Sequence, residues 1–205
     1  MKTTYLVVAA LKEEMQDHFT QEGIPVLYTG VGKINAAYHL TRELTRLQYE
    51  SQNKSQAKSR LPDVVINFGT AGSSVFKTHS LIECTRFAQR DMDLTPLGLS
   101  HGVTPFESEP AVIEVPKRLL KLETGWCGTG DSFETSAPKV QCDVVDMEAY
   151  ALAKICRAEK IPFISVKYIT DGSDHNAHND WAENLPRAAA SFIEIYKEIV
   201  QASLR

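Results

Sequence analysis

The chain has 205 residues, 43% of them hydrophobic and 23% charged, which is enough for one sizeable hydrophobic core. Its net charge of −4 and its lack of any Lys/Arg cluster argue against nucleic acid as a partner. No apolar run approaches the roughly 20 residues that a membrane span requires, and the N-terminus lacks the pattern of a signal peptide, so we expect no membrane association.

Short apolar strands alternate with helical stretches, a pattern typical of an α/β protein with a largely parallel sheet. We predict strands over residues 4–10, 24–29, 63–68, 80–87, 125–128 and 162–169. Helices are predicted after the turn that ends at Lys33, over 147–159, and from about Pro186 onward. The polar stretch 51–60 is predicted to be a surface loop. Without an internal repeat, residues 1–205 are interpreted as one domain.

The four cysteines are widely spaced and form no CxxC pair, which argues against a zinc knuckle or a redox motif. We predict reduced, buried thiols in a cytoplasmic protein.

Acidic side chains follow several of the predicted strands. Ligands of open α/β sheets bind beyond the carboxyl ends of the strands, and carboxylates crowded there repel one another, so stability alone does not explain them. Two carboxylates facing one substrate are what hydrolysis of a glycosidic bond requires. The residues concerned are Glu13, Glu14, Asp131, Asp146, Glu148, Asp171 and Asp174.

Each of these features also has a structural explanation. Glu13 and Glu14 could be acids in the first turn of a helix, and Asp171 could simply begin a turn. The small-residue segment GTAG, residues 69–72, could mark a close crossing of a helix and a strand. The segment GVGK, residues 30–33, lacks the spacer of a P-loop and is not interpreted as one.

The order of seven motifs separates these alternatives. They span residues 7–174, and together they resemble the nucleoside phosphorylase/nucleosidase superfamily, most closely the 5′-methylthioadenosine/S-adenosylhomocysteine nucleosidases. This resemblance implies a single-domain, three-layer α/β/α sandwich with a mixed, mostly parallel central sheet. The motifs are VVAALKEEM, TGVGKINAA, DVVINFGTAGS, RDMDLTPLG, GTGDSFE, VVDMEAYALAKIC and IPFISVKYITDGSD.

The resemblance also implies roles for three catalytic carboxyl groups and no cofactor. Asp171 would donate a proton to purine N7, Glu14 would position and deprotonate the attacking water, and Glu148 would hold the ribose hydroxyls. These roles suit a transition state with positive charge on the sugar and negative charge on the departing base.

The resemblance further implies a set of substrate contacts. Met147 would pack under the sugar, Phe133 would stack on the purine, and the backbone at Glu134 would read the adenine edge. Thr70 would lie beside the ribose and the water. The remaining substrate contacts that it implies are Ala71, Gly72 and Val31.

Two comparisons with the family narrow the expected reaction. An acid at position 171 accompanies 6-amino purines in the family, whereas Asn accompanies 6-oxo purines, so adenine is favoured. The phosphorylases carry an Arg where this chain has Asn67, and Glu14 would repel phosphate. Water is therefore the expected nucleophile. Other purine N-ribosyl hydrolases (futalosine or AMP nucleosidase), a phosphorylase and a non-catalytic binding protein stay open as alternatives.

Some positions depart from the family or have no assigned role. Lys167 stands where the related nucleosidases have Arg, and Tyr150 where a small residue is common. Leu94 and Leu97 match positions that reach into a neighbouring subunit's site, which implies a homodimer. The stretch 174–181 is interpreted as a solvated loop that could close over substrate, not as a metal site. Trp126 and Trp181 are predicted to be packing residues.

Overall fold

A computed structural model describes residues 3–53, 60–108, 110–119, 121–132, 140–172 and 177–202, with backbone only for 177–180. Eight strands and five α-helices lie in these ranges. The strands are β1 (Tyr5–Ala9), β2 (Val26–Tyr28), β3 (Val64–Gly72), β4 (Leu81–Gln89), β5 (Val112–Glu114), β6 (Glu123–Thr129), β7 (Val144–Asp146) and β8 (Phe163–Asp171). The helices are α1 (Lys12–Met15), α2 (His18–Gln21), α3 (Lys33–Asn53), α4 (Ala149–Ala158) and α5 (Ala177–Ala202).

All eight strands belong to one mixed sheet. Its order runs β2-β1-β3-β7-β6-β4-β5, and β8 pairs with both β3 and β4. The pairs β1–β2, β1–β3, β3–β8, β4–β6 and β6–β7 are parallel, and the other three pairs are antiparallel. Strands β3, β8, β4, β6 and β7 therefore form a closed ring, with β2, β1 and β5 outside it. The mixed, mostly parallel sheet of the prediction is confirmed.

Helices cover both faces of this sheet because side chains of one strand alternate between two cores. Val8 of β1 joins the core beneath α3 and α4, whereas its neighbours Val7 and Ala9 join the core beneath α1, α2 and α5. Val65 and Ile66 of β3 divide in the same way. This alternation gives the predicted three layers.

Several predicted boundaries differ from the structure. Strands β3 and β8 continue to Gly72 and Asp171, so Thr70 and Asp171 lie on strands rather than in turns. Helix α3 extends to Asn53, into the stretch predicted as a loop. In the preceding turns of this helix, Arg46 forms ion pairs with Glu43 and Glu50.

Helix α5 begins at Ala177, nine residues before the predicted start, and Pro186 lies inside it. Proline favours the first turn of a helix, which is why the sequence pattern indicated a start there. Contacts of the earlier turns with β3 and β8 hold this N-terminal extension: Asn184 Nδ2 donates to the carbonyl oxygen of Thr170 at 2.9 Å. Residues 177–181 are thus helical and not loop.

Cys84, Cys127 and Cys156 are buried free thiols, as predicted, whereas Cys142 is only half-buried. In the described part of the chain, no helix is both long and apolar enough to span a membrane.

Candidate active site

A cavity of about 260 Å³ opens at the carboxyl ends of β1, β3 and β8, where the α/β architecture places ligands. Strand β7 and the N-terminal part of α5 complete its wall. Glu14, Asp146, Glu148 and Asp171 all line it, although their sequence positions span more than 150 residues. The structure therefore brings the three predicted catalytic carboxyl groups to one cavity.

Glu14 lies on the single turn of α1 and is only 4% exposed, whereas its neighbour Glu13 is exposed. Its Oε1 accepts hydrogen bonds from the backbone N–H and from the hydroxyl of Thr70, both at 2.8 Å. Its Oε2 accepts from the N–H of Leu11 at 3.1 Å, in the manner of a capping box. Glu14 thus caps its own helix and also presents a fixed carboxylate to the cavity.

Asp146, at the end of β7, forms a buried ion pair with Lys167 of β8, at 2.8 Å between Oδ2 and Nζ. Asp146 also accepts from Thr129 Oγ1 at 2.6 Å and from the N–H of Ala149, the first residue of α4, at 2.8 Å. Burial by itself would raise the pKa of Asp146, but Lys167 and these hydrogen bonds hold it below its ordinary value.

The amino group of Lys167 lies close under the main chain of β3. Its side chain is 1% exposed, and a Cβ built on Gly69 would come within 3.0 Å of Nζ and 3.6 Å of Glu14 Oε1. Burial would lower the pKa of Lys167, but Asp146, Cys127 and Glu148 outweigh it and raise that pKa above its ordinary value. Lys167 is therefore a buried cation among carboxylates, and Gly69 leaves room for it.

Glu148 is the strongly perturbed carboxyl group of the site. Burial first, and then the negative charges of Asp146 and Glu14, raise its pKa from 4.5 to about 8, although Lys167 acts in the opposite direction. Its Oε1 accepts a hydrogen bond from the N–H of Gly32 at 2.8 Å. A carboxyl group held close to neutrality can exchange hydrogen bonds with hydroxyl groups of a ligand both as donor and as acceptor.

Asp171 ends β8 and is 5% exposed. Its Oδ2 accepts from the hydroxyl of Thr170 at 2.7 Å, and it lines the cavity with Thr170 and Ser132. This placement leaves Asp171 beside the ligand space and sheltered from bulk water, as a general acid requires.

The GVGK turn positions Glu148 and the N-terminus of α3. Gly32 has a φ of +95°, which favours glycine, and its N–H reaches Glu148. Asp131 Oδ1 accepts from the N–H of Lys33 at 2.8 Å, and the N–H of Asp131 donates to Asp91 Oδ2 at 2.9 Å. Asp131, one of the acids predicted at the crevice, therefore holds this turn and is not a wall of the cavity.

Most of the predicted substrate contacts line the cavity, namely Val31, Thr70, Ala71, Gly72 and Met147. Leu94 and Leu97 do not, and Leu97 is 75% exposed on the outer surface. Phe133 and Glu134 lie outside the described residues, as do Asp174 and His175. Among the described residues, no group of three His, Cys, Asp or Glu side chains could hold a metal ion.

Sequence reasoning missed several residues of the cavity wall, and two of them, Arg90 and Trp181, make side-chain hydrogen bonds there. Arg90 lines it and donates to Ser132 Oγ at 3.1 Å and to the Ser132 carbonyl oxygen. Trp181, predicted to be a packing residue, lines the cavity and donates from Nε1 to Thr70 Oγ1 at 2.9 Å. The only signal for Trp181 was its position ten residues after Asp171, which carries no information until the start of α5 is known.

The fold and this site define an α/β enzyme that binds its ligand among carboxylates at the carboxyl ends of the strands. A family model described as the phosphorylase superfamily matches residues 18–201. The chain is similar to 5′-methylthioadenosine/S-adenosylhomocysteine nucleosidases of two bacteria. That of Buchnera aphidicola is 30% identical, over 89% of this chain and 81% of the relative. That of Haemophilus influenzae strain 86-028NP is 31% identical, over 81% and 75% respectively.

The chain also has the same fold as solved structures of two enzymes from Helicobacter pylori. A mutant MTAN of Helicobacter pylori with 5′-methylthioadenosine in its active site has a TM-score of 0.83 at 21% identity, covering 98% of this chain and 100% of that one. The futalosine hydrolase of the same bacterium has a TM-score of 0.81 at 20% identity, covering 98% of both chains. This chain belongs to the phosphorylase superfamily, and the two relatives named above are nucleosidases.

Proposed function

We propose that this protein hydrolyses the N-glycosidic bond of an adenine nucleoside of the 5′-methylthioadenosine or S-adenosylhomocysteine type, releasing adenine and the ribose derivative. One observation carries the proposal: Glu14, Glu148 and Asp171 line a single sheltered cavity. The names of the relatives at 30% and 31% identity support the substrate class.

In the proposed reaction, the bond between C1′ and the purine nitrogen breaks while an oxygen of water bonds to C1′. Asp171 gives its proton to N7, so the base leaves neutral, and Glu14 takes a proton from the water. Glu148 holds the ribose hydroxyls, and the carboxylates around the sugar stabilise its developing positive charge. Each proton transfer supplies about 10²–10⁴ in rate.

Water, rather than phosphate, is the nucleophile in this proposal. Asn67 stands where the phosphorylases have Arg; it is buried inside the sheet, where its Nδ2 donates to the Val8 carbonyl oxygen at 3.3 Å and its Oδ1 accepts from Ser165 at 2.9 Å. The Asn67 side chain therefore forms its hydrogen bonds inside the core and does not face a bound anion. The fixed carboxylate of Glu14 would repel phosphate at the place of attack.

An AMP nucleosidase is a weaker candidate because its substrate needs a cation for the 5′-phosphate. Lys167, the candidate that the sequence indicated, is neutralised by Asp146 at 2.8 Å and is 1% exposed. Arg90, which also lines the cavity, already donates to the hydroxyl and the carbonyl oxygen of Ser132. The fold does not distinguish futalosine hydrolysis from the proposed reaction, because a futalosine hydrolase is as similar to this chain in structure as the nucleosidases are.

We also propose that the protein is a homodimer in the cytoplasm, as the sequence indicated. Large apolar side chains are exposed at the N-terminal half of α3 and on the nearby segment after β4: Ile34 is 81%, Tyr38 54% and Leu97 75% exposed. Lys33 pairs with Asp91, which ties these two segments together. Val31, beside them, is 42% exposed and also lines the cavity, so a second subunit seated here would cover the cavity mouth. The buried free thiols suit a reducing compartment.

Product analysis tests the function. The purified protein is incubated separately with methylthioadenosine, S-adenosylhomocysteine, adenosine, inosine, AMP and futalosine, with and without phosphate, and the free base is measured by chromatography. Adenine released from the thionucleosides without phosphate is the expected result. Strict dependence on phosphate would show a phosphorylase, and release of base from futalosine alone would identify that hydrolase instead.

Light scattering tests the dimer. The wild type is expected to have twice the mass of the monomer, and Leu97→Asp is expected to have a smaller mass.

A further inference from the structure

A chain of two hydrogen bonds runs from helix α5 through strand β3 to helix α1. Trp181 Nε1 lies 2.9 Å from Thr70 Oγ1, and Thr70 Oγ1 lies 2.8 Å from Glu14 Oε1. All three side chains line the cavity, and Trp181 and Thr70 are half-buried.

The chemistry of the three groups sets the direction of both bonds. An indole N–H can only donate, and an ionised carboxylate can only accept. The hydroxyl of Thr70 must therefore accept from Trp181 and point its single proton at Glu14. With the N–H of Thr70, also at 2.8 Å, two donors hold Oε1 of Glu14, and Oε2 has one donor, the N–H of Leu11. The remaining lone pair of Oε2 is then the place where Glu14 can take a proton from water.

We propose that Trp181 is a positioning residue for the general base: its indole N–H orients the Thr70 hydroxyl, which in turn holds the Glu14 carboxylate in the geometry that activates water. The inference rests on the proposed function, because it concerns the rate of that hydrolysis. Without the indole, the hydroxyl can rotate toward solvent or toward the ligand, and Oε1 loses one of its two donors.

The other tryptophan of the chain is a matched control. Trp126 lies on β6, where the guanidinium of Arg86 is 4.9 Å from the centre of its ring, and it does not line the cavity. Its Nε1 is buried and has no acceptor within the described ranges. Replacing Trp126 with Phe therefore removes an indole N–H that holds nothing, whereas the same replacement at Trp181 removes one that holds Thr70.

A double-mutant cycle tests the proposal. Trp181→Phe keeps an aromatic ring in the wall and removes the donor together with part of the ring volume, as Trp126→Phe does at the control site. Thr70→Val keeps the shape and removes the hydroxyl. We expect Trp181→Phe to lower kcat about 2- to 10-fold, the size of one hydrogen bond, with a smaller change in KM. In the Thr70→Val background, the same replacement should change kcat by less than about 2-fold, because the group through which it acts is gone.

Two further readouts separate positioning from packing. In the ¹⁵N spectrum, the indole Nε1–H signal of Trp181, assigned with the two Phe variants, is expected to shift in Thr70→Val. Thr70→Ser, which keeps the hydroxyl, should retain most of the kcat.

The activity of the wild type distinguishes failure of the proposed function from failure of the positioning role of Trp181. An inactive wild type would overturn the function itself. An active wild type in which Trp181→Phe leaves kcat unchanged would overturn the positioning role. The same conclusion would follow if Trp181→Phe lowered kcat by equal factors in the wild-type and the Thr70→Val backgrounds.

Discussion

Replacing Glu14 with Gln is the sharpest test of the proposed chemistry, because the amide has the shape of the carboxyl group but cannot take a proton from water. The expected loss of kcat is about 10²–10⁴-fold, the usual contribution of a general base. KM should change much less, because Glu14 is expected to contact the water rather than the nucleoside.

The structure also gives the expected effect of this replacement on stability. One amide oxygen can still accept from Thr70, but the amide nitrogen then faces the N–H of Leu11, and two donors meet. Loss of one hydrogen bond to a charged group costs about 1.5–3 kcal/mol. For a domain of 205 residues this lowers Tm by about 3–12 °C, so the variant should be folded at 25 °C.

Glu13→Gln is the matched control, because Glu13 precedes Glu14 on α1 and is exposed. Adenine release is followed by chromatography under saturating methylthioadenosine, and the fold is checked by circular dichroism. Glu13→Gln should keep kcat within about 2-fold, as expected of a surface residue. If folded Glu14→Gln keeps more than a tenth of the wild-type kcat, or Glu13→Gln loses as much, the assignment of Glu14 as the base is wrong.

Three more predictions concern the other charged groups of the site. Asp171→Asn removes the proton for N7 and should lower kcat about 10²–10⁴-fold on adenine nucleosides while methylthioadenosine still binds by calorimetry; turnover near the wild-type rate would exclude Asp171 as the acid. Because burial raises the pKa of Glu148 to about 8 from 4.5, the folded state resists its ionisation, and the free energy of unfolding should fall as pH rises from about 4.5 to 8. In Glu148→Gln, the free energy of unfolding measured by urea titration should decline by up to about 5 kcal/mol less over this pH range. If the variant shows the same pH dependence as wild type, the raised pKa of Glu148 is wrong. Lys167→Met leaves Asp146 without its ion-pair partner and should destabilise the fold by about 3–5 kcal/mol; a loss below about 1 kcal/mol would show that the pair contributes little.

Much of the fold could be predicted from local patterns. Apolar runs such as that of β8 indicated buried strands, and the alternation of strands and helices indicated the α/β class. The ends of elements were less accessible: the start of α5 was misplaced because Pro186 resembles a helix start, while the contacts that extend the helix lie far away in sequence.

The chemical groups of this protein and their order follow from the sequence alone, and the motifs from KEEM to TDGSD were enough to indicate its family and the three carboxyl groups proposed to be catalytic. Which of two adjacent residues is buried, and which distant residues pair, depends on the tertiary structure. It buried Glu14 and exposed Glu13, paired Lys167 with Asp146, and brought the indole of Trp181 to Thr70. The physical reason is that burial and hydrogen-bond geometry arise where distant segments pack, and Trp181 lies 111 residues from Thr70 along the chain.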